Sequence, residues 1–280
     1  MKLLIFAFSL TLLLSSSNSA EKEIANKGLI LDLDANKGLT LENGNSISSW
    51  QNQVKDFSAQ NFVKRDEGRK FAGSGRPILK KNSDELKGNN SIIFKESELV
   101  NMKEDAFDHL VTGSGYTWLI VMKPYKQDGK LKDVNAFIGN LRNGKKYEGI
   151  WAGLEDNNTL WAGTRNGLTF GRWDKNNPKL TGPILENKFY IIAGRQSAGK
   201  EEATVDLFIN SASPISSKST PVNTKANSSK LAIGTERDAT NHPGKESFDG
   251  EIARVLIYER PLSKDELNTL IESLKKTYLK

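Results

Sequence analysis

Two short segments of this sequence set tryptophan among glycines. In 147–154, Tyr147, Gly149, Trp151 and Gly153 alternate with Glu148, Ile150, Ala152 and Leu154. In 159–165, Thr159, Trp161, Gly163 and Arg165 alternate with Leu160, Ala162 and Thr164. Alternate residues of an extended chain share a face. If the intervening turn centres on Asp156, Trp151 and Trp161 fall opposite each other, with glycine neighbours that leave the indoles uncovered. An open aromatic ladder beside Tyr147 and Arg165 suits a sugar, whose apolar ring face stacks on indole while its hydroxyls take polar partners. Arg172 and Trp173 extend the same surface. Tryptophans at these places also suit the space between two sheets, and a one-residue slip of register exchanges the faces.

Other constellations point to cleavage. A retaining glycosidase needs two carboxyl groups about 5 Å apart, which acids at alternate strand positions supply; Asp32/Asp34 and Asp249/Glu251 have that spacing. Glu155-Asp156 falls in a turn. Salt bridges, turn hydrogen bonds or metal ligation account for these acids more simply. A polysaccharide lyase needs instead a base and a group that neutralises a uronate carboxyl. Tyr147, Arg165 and His242 are the residues to test for those roles, while His109 and His242 also read as plain surface histidines.

The elements that must carry these residues are short and extended. Period-two segments recur between clusters of Gly, Asn, Asp, Ser and Pro, at 28–34, 46–51, 91–95, 116–125, 136–141, 147–154, 159–165, 188–195, 204–210, 230–235 and 248–258. Strands so spaced, without helices between them, predict an all-β, two-sheet antiparallel sandwich. The run Trp118-Leu119-Ile120-Val121-Met122 is apolar on both faces and predicts a central, doubly covered strand. One helix is well specified, at the end of the chain. Ser263 and Glu266 form a capping box, Asp265 adds negative charge to the first turn, and Leu267, Leu270, Ile271, Leu274 and Tyr278 repeat at three and four residues. The stretches 65–75 and 211–229 read as loops.

The motif Phe248-Asp249-Gly250-Glu251-Ile252-Ala253-Arg254-Val255-Leu256-Ile257-Tyr258, followed by Arg260-Pro261-Leu262-Ser263 and the capped helix, resembles the end of laminin G-like jelly-roll domains of the concanavalin A-like lectin/glucanase superfamily. The start resembles the same family, with Gly28 to Ala35 as its opening strand and Ile47-Ser48-Ser49-Trp50 carrying its tryptophan. The resemblance covers about 27–280 and implies a jelly-roll sandwich with Trp50 and Trp118 in its core. One such fold serves lectins, glycosidases, lyases and adhesion modules. The Glu-x-Asp-x-x-Glu pattern of the family's glucanases and the strand motifs of its alginate lyases are missing. The resemblance also implies calcium as a cation to look for, with Asp32, Asp34 and Asp249 among the candidate ligands.

Met1-Lys2, the apolar run 3–14 and the small residues 15–20 predict an export signal over 1–20, leaving 21–280 as one mature domain, secreted to a periplasm or the exterior. A dozen apolar residues fall short of the roughly 20 that span a bilayer. Cysteine is absent and only two histidines occur. Those counts exclude thiol catalysis, cysteine-ligated metal and a multi-histidine zinc site. The formal charge of +6 is dispersed, which favours anionic glycans without making the concentrated stripe of a nucleic-acid surface. The sequence thus leads to a secreted, lectin-like carbohydrate-binding module for a polysaccharide, with no cofactor required. A polysaccharide lyase or glycosidase of the same fold and a protein–protein adhesion module are the alternatives.

Overall fold

The structure is a computed structural model that describes residues 26–64, 75–127, 134–142, 146–237 and 245–280. The export segment 1–20, His242 and most of the loop expected over 65–75 lie outside the described residues.

The chain begins with β1 (Leu29–Asp34), β2 (Leu39–Glu42), β3 (Ser46–Gln51), β4 (Asn61–Val63), β5 (Ile78–Ser83), β6 (Asn89–Phe94) and β7 (Leu99–Asn101). Its middle holds β8 (Tyr116–Pro124), β9 (Asn135–Gly139), β10 (Glu148–Leu154), β11 (Thr159–Asn166) and β12 (Leu180–Pro183). Then come β13 (Tyr190–Gln196), β14 (Glu202–Ile209), β15 (Ser216–Pro221), β16 (Ala232–Ile233) and β17 (Gly250–Tyr258), and helix α1 (Lys264–Tyr278) closes the chain. The named strands pair antiparallel. One layer runs β15-β14-β13-β8-β17, where β17 takes β6 along its first residues and β1 along its last. The other runs β4-β7-β16-β9-β10-β11-β12. β5 and β3 join the two at one side, so the sheet nearly closes on itself as a barrel-like sandwich.

Three apolar layers follow from the alternation. Strand β8 is buried along its whole length, as its doubly apolar sequence predicts. Trp118, Ile120 and Met122 enter the core between the sheets with Trp50, Phe62, Phe137 and Ile150. Leu119 and Val121 face the other way, under α1. The helix lays down Leu267, Leu270, Ile271, Leu274 and Tyr278 as one buried stripe, each large apolar side chain contributing about 1.5–3 kcal/mol by leaving water. Its capping box forms as the sequence specifies. Trp50 and Trp118 are 0% and 2% exposed, and the Trp50 indole N–H donates to the Asp34 carbonyl at 3.0 Å. The third layer lies on the outer face of the second sheet, where Ala136, Leu141, Trp151 and Trp161 cluster with Tyr147 and Trp173.

The sequence reading missed several short strands, and one contradicts it. Within the expected loop 211–229, Ser216–Pro221 forms β15 beside β14. This strand pairs in register with β14 and carries mostly exposed hydroxyl and lysine side chains, so it lacks the apolar alternation that marks a strand with a buried face. No helix among the described residues is long and apolar enough to cross a membrane.

Candidate functional site

Strands β10 and β11 form a hairpin whose turn runs from Glu155 to Thr159, with Asn158 in the left-handed region at φ 63°. The register centres on Asn157, not Asp156, which corrects the expected pairing. Trp151 stands opposite Gly163, and Trp161 opposite Gly153. The offset is two residues, so parity is kept: Trp151, Trp161 and Arg165 still project from one face, away from the inter-sheet core. The expected openness of that face is also corrected. Trp151 and Trp161 are 3% and 0% exposed, because each indole turns over the glycine across from it and a long segment closes above them.

That covering segment is residues 167–178, organised by Asp174. Its carboxylate accepts from the Thr169 hydroxyl at 2.7 Å and from the backbone N–H groups of Asn176 and Asn177 at 2.8 and 3.0 Å. Burial opposes the charge, but these bonds outweigh it and hold the carboxyl below the usual aspartate range. So fixed, the segment presses Trp173 onto Trp151, with ring centroids 4.7 Å apart and planes at 28°, and edge-on to Trp161 at 5.6 Å.

Beside this stack opens a cavity of about 330 Å³. Val134, Leu141, Tyr147, Trp151 and Phe170 form its apolar wall; Arg165, Arg172, Arg237, Glu236 and Glu246 bring charge. Glu236 and Arg237 follow β16, Glu246 precedes β17, and a bridge between Thr235 and Ser247 draws the two ends together. A Cβ on Gly139 would meet the Glu236 carbonyl at 2.2 Å, so only glycine lets this segment approach β9 so closely. Arg237 pairs with Glu246 and lies 3.4 Å from Glu236. Burial, helped by the charge of Glu246, pushes the Glu236 carboxyl up to about 8.

Arg165 forms the floor and is 1% exposed. Its Nη2 donates to the carbonyls of Phe170 and Gly171 at 3.2 and 2.7 Å, while Nε and Nη1 have no acceptor. Its guanidinium carbon is 5.0 Å from the Tyr147 ring centroid and 5.4 Å from that of Trp151. Burial holds its pKa below the ordinary arginine value. The indole N–H groups of Trp151 and Trp161 also lack acceptors.

Of the residues singled out in the sequence, Tyr147, Trp151, Arg165 and Arg172 line the cavity; Trp161 and Trp173 pack behind its wall. His242 lies outside the described residues, so of the three suspects for lyase chemistry the structure brings together Tyr147 and Arg165. His109 stands 3.2 Å from Glu259 and does not line the cavity. Glu155 pairs with Lys179.

Asp32, Asp34 and Asp249 do not converge. Asp32 receives two hydrogen bonds from Arg254, at 3.0 and 2.9 Å, and Asp34 lies 3.7 Å from the same guanidinium. Asp249 accepts the Glu96 N–H at the other end of β17. These positions do not fit one calcium ion, since an arginine already neutralises two of the three. Among the described residues no group of three or more His, Asp or Glu stands together as a metal site. The sequence reading missed Glu236, Arg237 and Glu246, whose proximity depends on the bridge between Thr235 and Ser247. The visible signal was a charged pair, Glu236-Arg237, ending an apolar segment.

A laminin G family model, described as the concanavalin A-like lectin/glucanases superfamily, matches residues 103–268. No curated protein matches the chain in sequence. Among solved structures, Trypanosoma rangeli sialidase in complex with sialic acid aligns with a TM-score of 0.56 at 14% identity, over 98% of this chain and 40% of that one. The same enzyme with 2,3-difluoro-KDN gives 0.55 at 15%, over 89% and 33%. The binding domain of botulinum neurotoxin DC in complex with SialylT gives 0.50 at 12%, over 88% and 51%. The chain thus spans two fifths or less of the sialidase, and the likeness is one of fold. With the matched span exceeding half of its 280 residues, the chain belongs to the concanavalin A-like lectin/glucanases superfamily.

Proposed function

We propose that this protein is a secreted carbohydrate-binding module on a jelly-roll plan, and that it seats a glycan in the cavity between the β10–β11 hairpin and the β16–β17 connection. The observation that carries the reading is the cavity wall. Tyr147, Trp151 and Phe170 give it an aromatic lining, with the exposed ring of Phe170 at the rim, and guanidinium and carboxyl groups stand around them within a space of about 330 Å³. A few convergent polar groups on an apolar, concave wall are what a sugar residue needs for both stacking and orientation. Sialidase and toxin structures of similar fold hold sialic acid and SialylT, which supports a glycan ligand. The test is a glycan array probed with the purified chain, with and without chelator. The same polysaccharides are assayed for new reducing ends and for the absorbance of unsaturated uronate. Binding without cleavage, weakened in Phe170→Ala, is the expected result; Phe170 is 60% exposed at the rim, so its removal spares the core.

Cleavage is the second reading, favoured by the two carboxyl groups of Glu236 and Glu246 in one cavity. Their geometry argues against it. They are close enough to hydrogen-bond each other and share Arg237, whereas a glycosidase separates its pair by about 5 Å or more to hold the sugar between them. Adhesion to a protein is favoured by the burial of Trp151 and Trp161 and the exposure of Leu168 and Phe170; an array with no bound glycan would turn attention there.

A further inference from the structure

We infer that the sugar residue seated in this cavity is acidic, with its anionic group, carboxylate or sulfate, set against Arg165 and Arg172 and its ring against Phe170 at the rim. The inference rests on the carbohydrate reading above and adds the chemical class of ligand.

Three observations carry it. The first is Arg165 itself. A guanidinium that is 1% exposed normally meets a carboxylate, because a buried charge without a counter-charge is costly. Here its hydrogen bonds reach only two neutral carbonyls, and two of its three nitrogens have no acceptor although the residue lines an open cavity. The second is the balance of charge around the wall. Three arginines face two carboxyls. Arg237 is engaged by Glu246 and Glu236, and Glu236 holds its proton at neutral pH. The lining thus carries a positive excess through Arg165 and Arg172, which the Asp174 carboxylate acting on Arg165 offsets in part. The third is placement. The two guanidinium carbons lie 5.4 and 5.8 Å from the Trp151 ring centroid. The two guanidinium groups therefore stand at one wall, and a single anion entering there comes within reach of both. A neutral sugar offers hydroxyls that accept from Arg165, but charge-assisted bonds to an anion are the stronger match for its two nitrogens without acceptors.

The experiment uses the purified chain on an array of matched glycans: each neutral oligosaccharide beside its carboxylated and its sulfated counterpart, including lactose beside sialyllactose. Calorimetry on the best pair follows, at low and at high salt. The expected result is that acidic members bind at least about tenfold more tightly than their neutral partners, the difference narrowing with salt. Which acidic arm leads identifies the anion. Arg172→Gln, at an exposed position, weakens the acidic ligand several-fold with an unchanged melting temperature; Arg165→Lys, which keeps charge but not the planar fork, weakens it further. If Arg165→Lys fails to fold, Arg172→Gln decides alone. Neutral glycans bound as tightly as acidic ones, or undiminished acidic binding in Arg172→Gln, overturns the inference and leaves the carbohydrate reading standing. An array on which nothing binds removes both.

Discussion

Trp161 lies across the hairpin from Gly153, and the Cβ that Gly153 lacks would stand 2.6 Å from Cζ2 of the indole and 2.6 Å from the Asn135 carbonyl. The pair at the other tryptophan is looser. A Cβ on Gly163, opposite Trp151, would meet the Pro178 carbonyl at 3.1 Å and Trp173 Cζ3 at 3.2 Å. Both glycines let an indole lie flat over the sheet, but only Gly153 is also hemmed in by backbone of the neighbouring strand. Gly153→Ala should therefore cost about 2–3 kcal/mol, as overpacking in a tight interior does, and Gly163→Ala about 1 kcal/mol or less. Urea unfolding of the two variants checks this, and equal losses would mean that the indole layer yields more readily than its contacts imply.

Glu251 offers a second test. It is fully buried on β17, where Oε1 accepts from Lys123 at 2.7 Å, Lys80 at 3.0 Å and Tyr125 at 2.6 Å, and Oε2 from Ser91 at 2.6 Å. Burial opposes its charge, yet Lys123, Ser91, Tyr125 and Lys80 together hold the carboxyl down to about 2. Glu251→Gln removes one of the two carboxylates that neutralise buried Lys123, leaving Glu85 at 2.5 Å, and a loss of about 2 kcal/mol at neutral pH is expected. The folded pKa lies below the unfolded value of 4.5, so the carboxylate's contribution is complete above 4.5 and disappears as pH falls toward 2. The gap between wild type and variant should close over that window. Denaturant unfolding at neutral pH and near pH 3 measures it; a gap of the same size at both would sink the account.

What could be read in the sequence was local or periodic. The capping box of Ser263 and Glu266 needs four consecutive residues, and it forms as written. The double burial of Tyr116–Pro124 follows from apolar residues on both parities. Tyr147, Trp151, Trp161 and Arg165 gather on one side because parity survives a two-residue shift of register. The register itself depended on the turn: Asn158 in the left-handed region moves the centre to Asn157, and nothing in the alternation distinguishes that from a centre at Asp156. Burial of the indoles was hidden for another reason. The cover is an irregular segment held by Asp174, Thr169, Asn176 and Asn177, and such side-chain bonding leaves no period. Glu236 and Glu246 meet through tertiary pairing across residues that carry no pattern at all.

Glu236 gives the sharpest dependence on pH. Its carboxyl faces Glu246 and Arg237 across the connection to β17, and Arg172, Arg165 and Tyr147 across the cavity. Burial is the main reason its pKa rises from 4.5 to about 8; Glu246 adds to the rise, while Arg237 and Arg172 oppose it. In the folded chain this group keeps a proton that the unfolded chain has released. Its contribution is then complete below about 4.5, declines as pH rises through the interval to about 8, and is constant above it. Glu236→Gln keeps the shape and a donor but cannot ionise. The variant should melt close to wild type in mild acid and progressively higher than wild type as pH rises toward 9. Acidic glycans should also lose affinity for the wild-type chain above pH 8, where a new negative charge enters the cavity, and keep it in the variant. Melting curves and binding isotherms across pH 5–9 test both, and parallel profiles for the two proteins would show that Glu236 is already ionised at neutral pH.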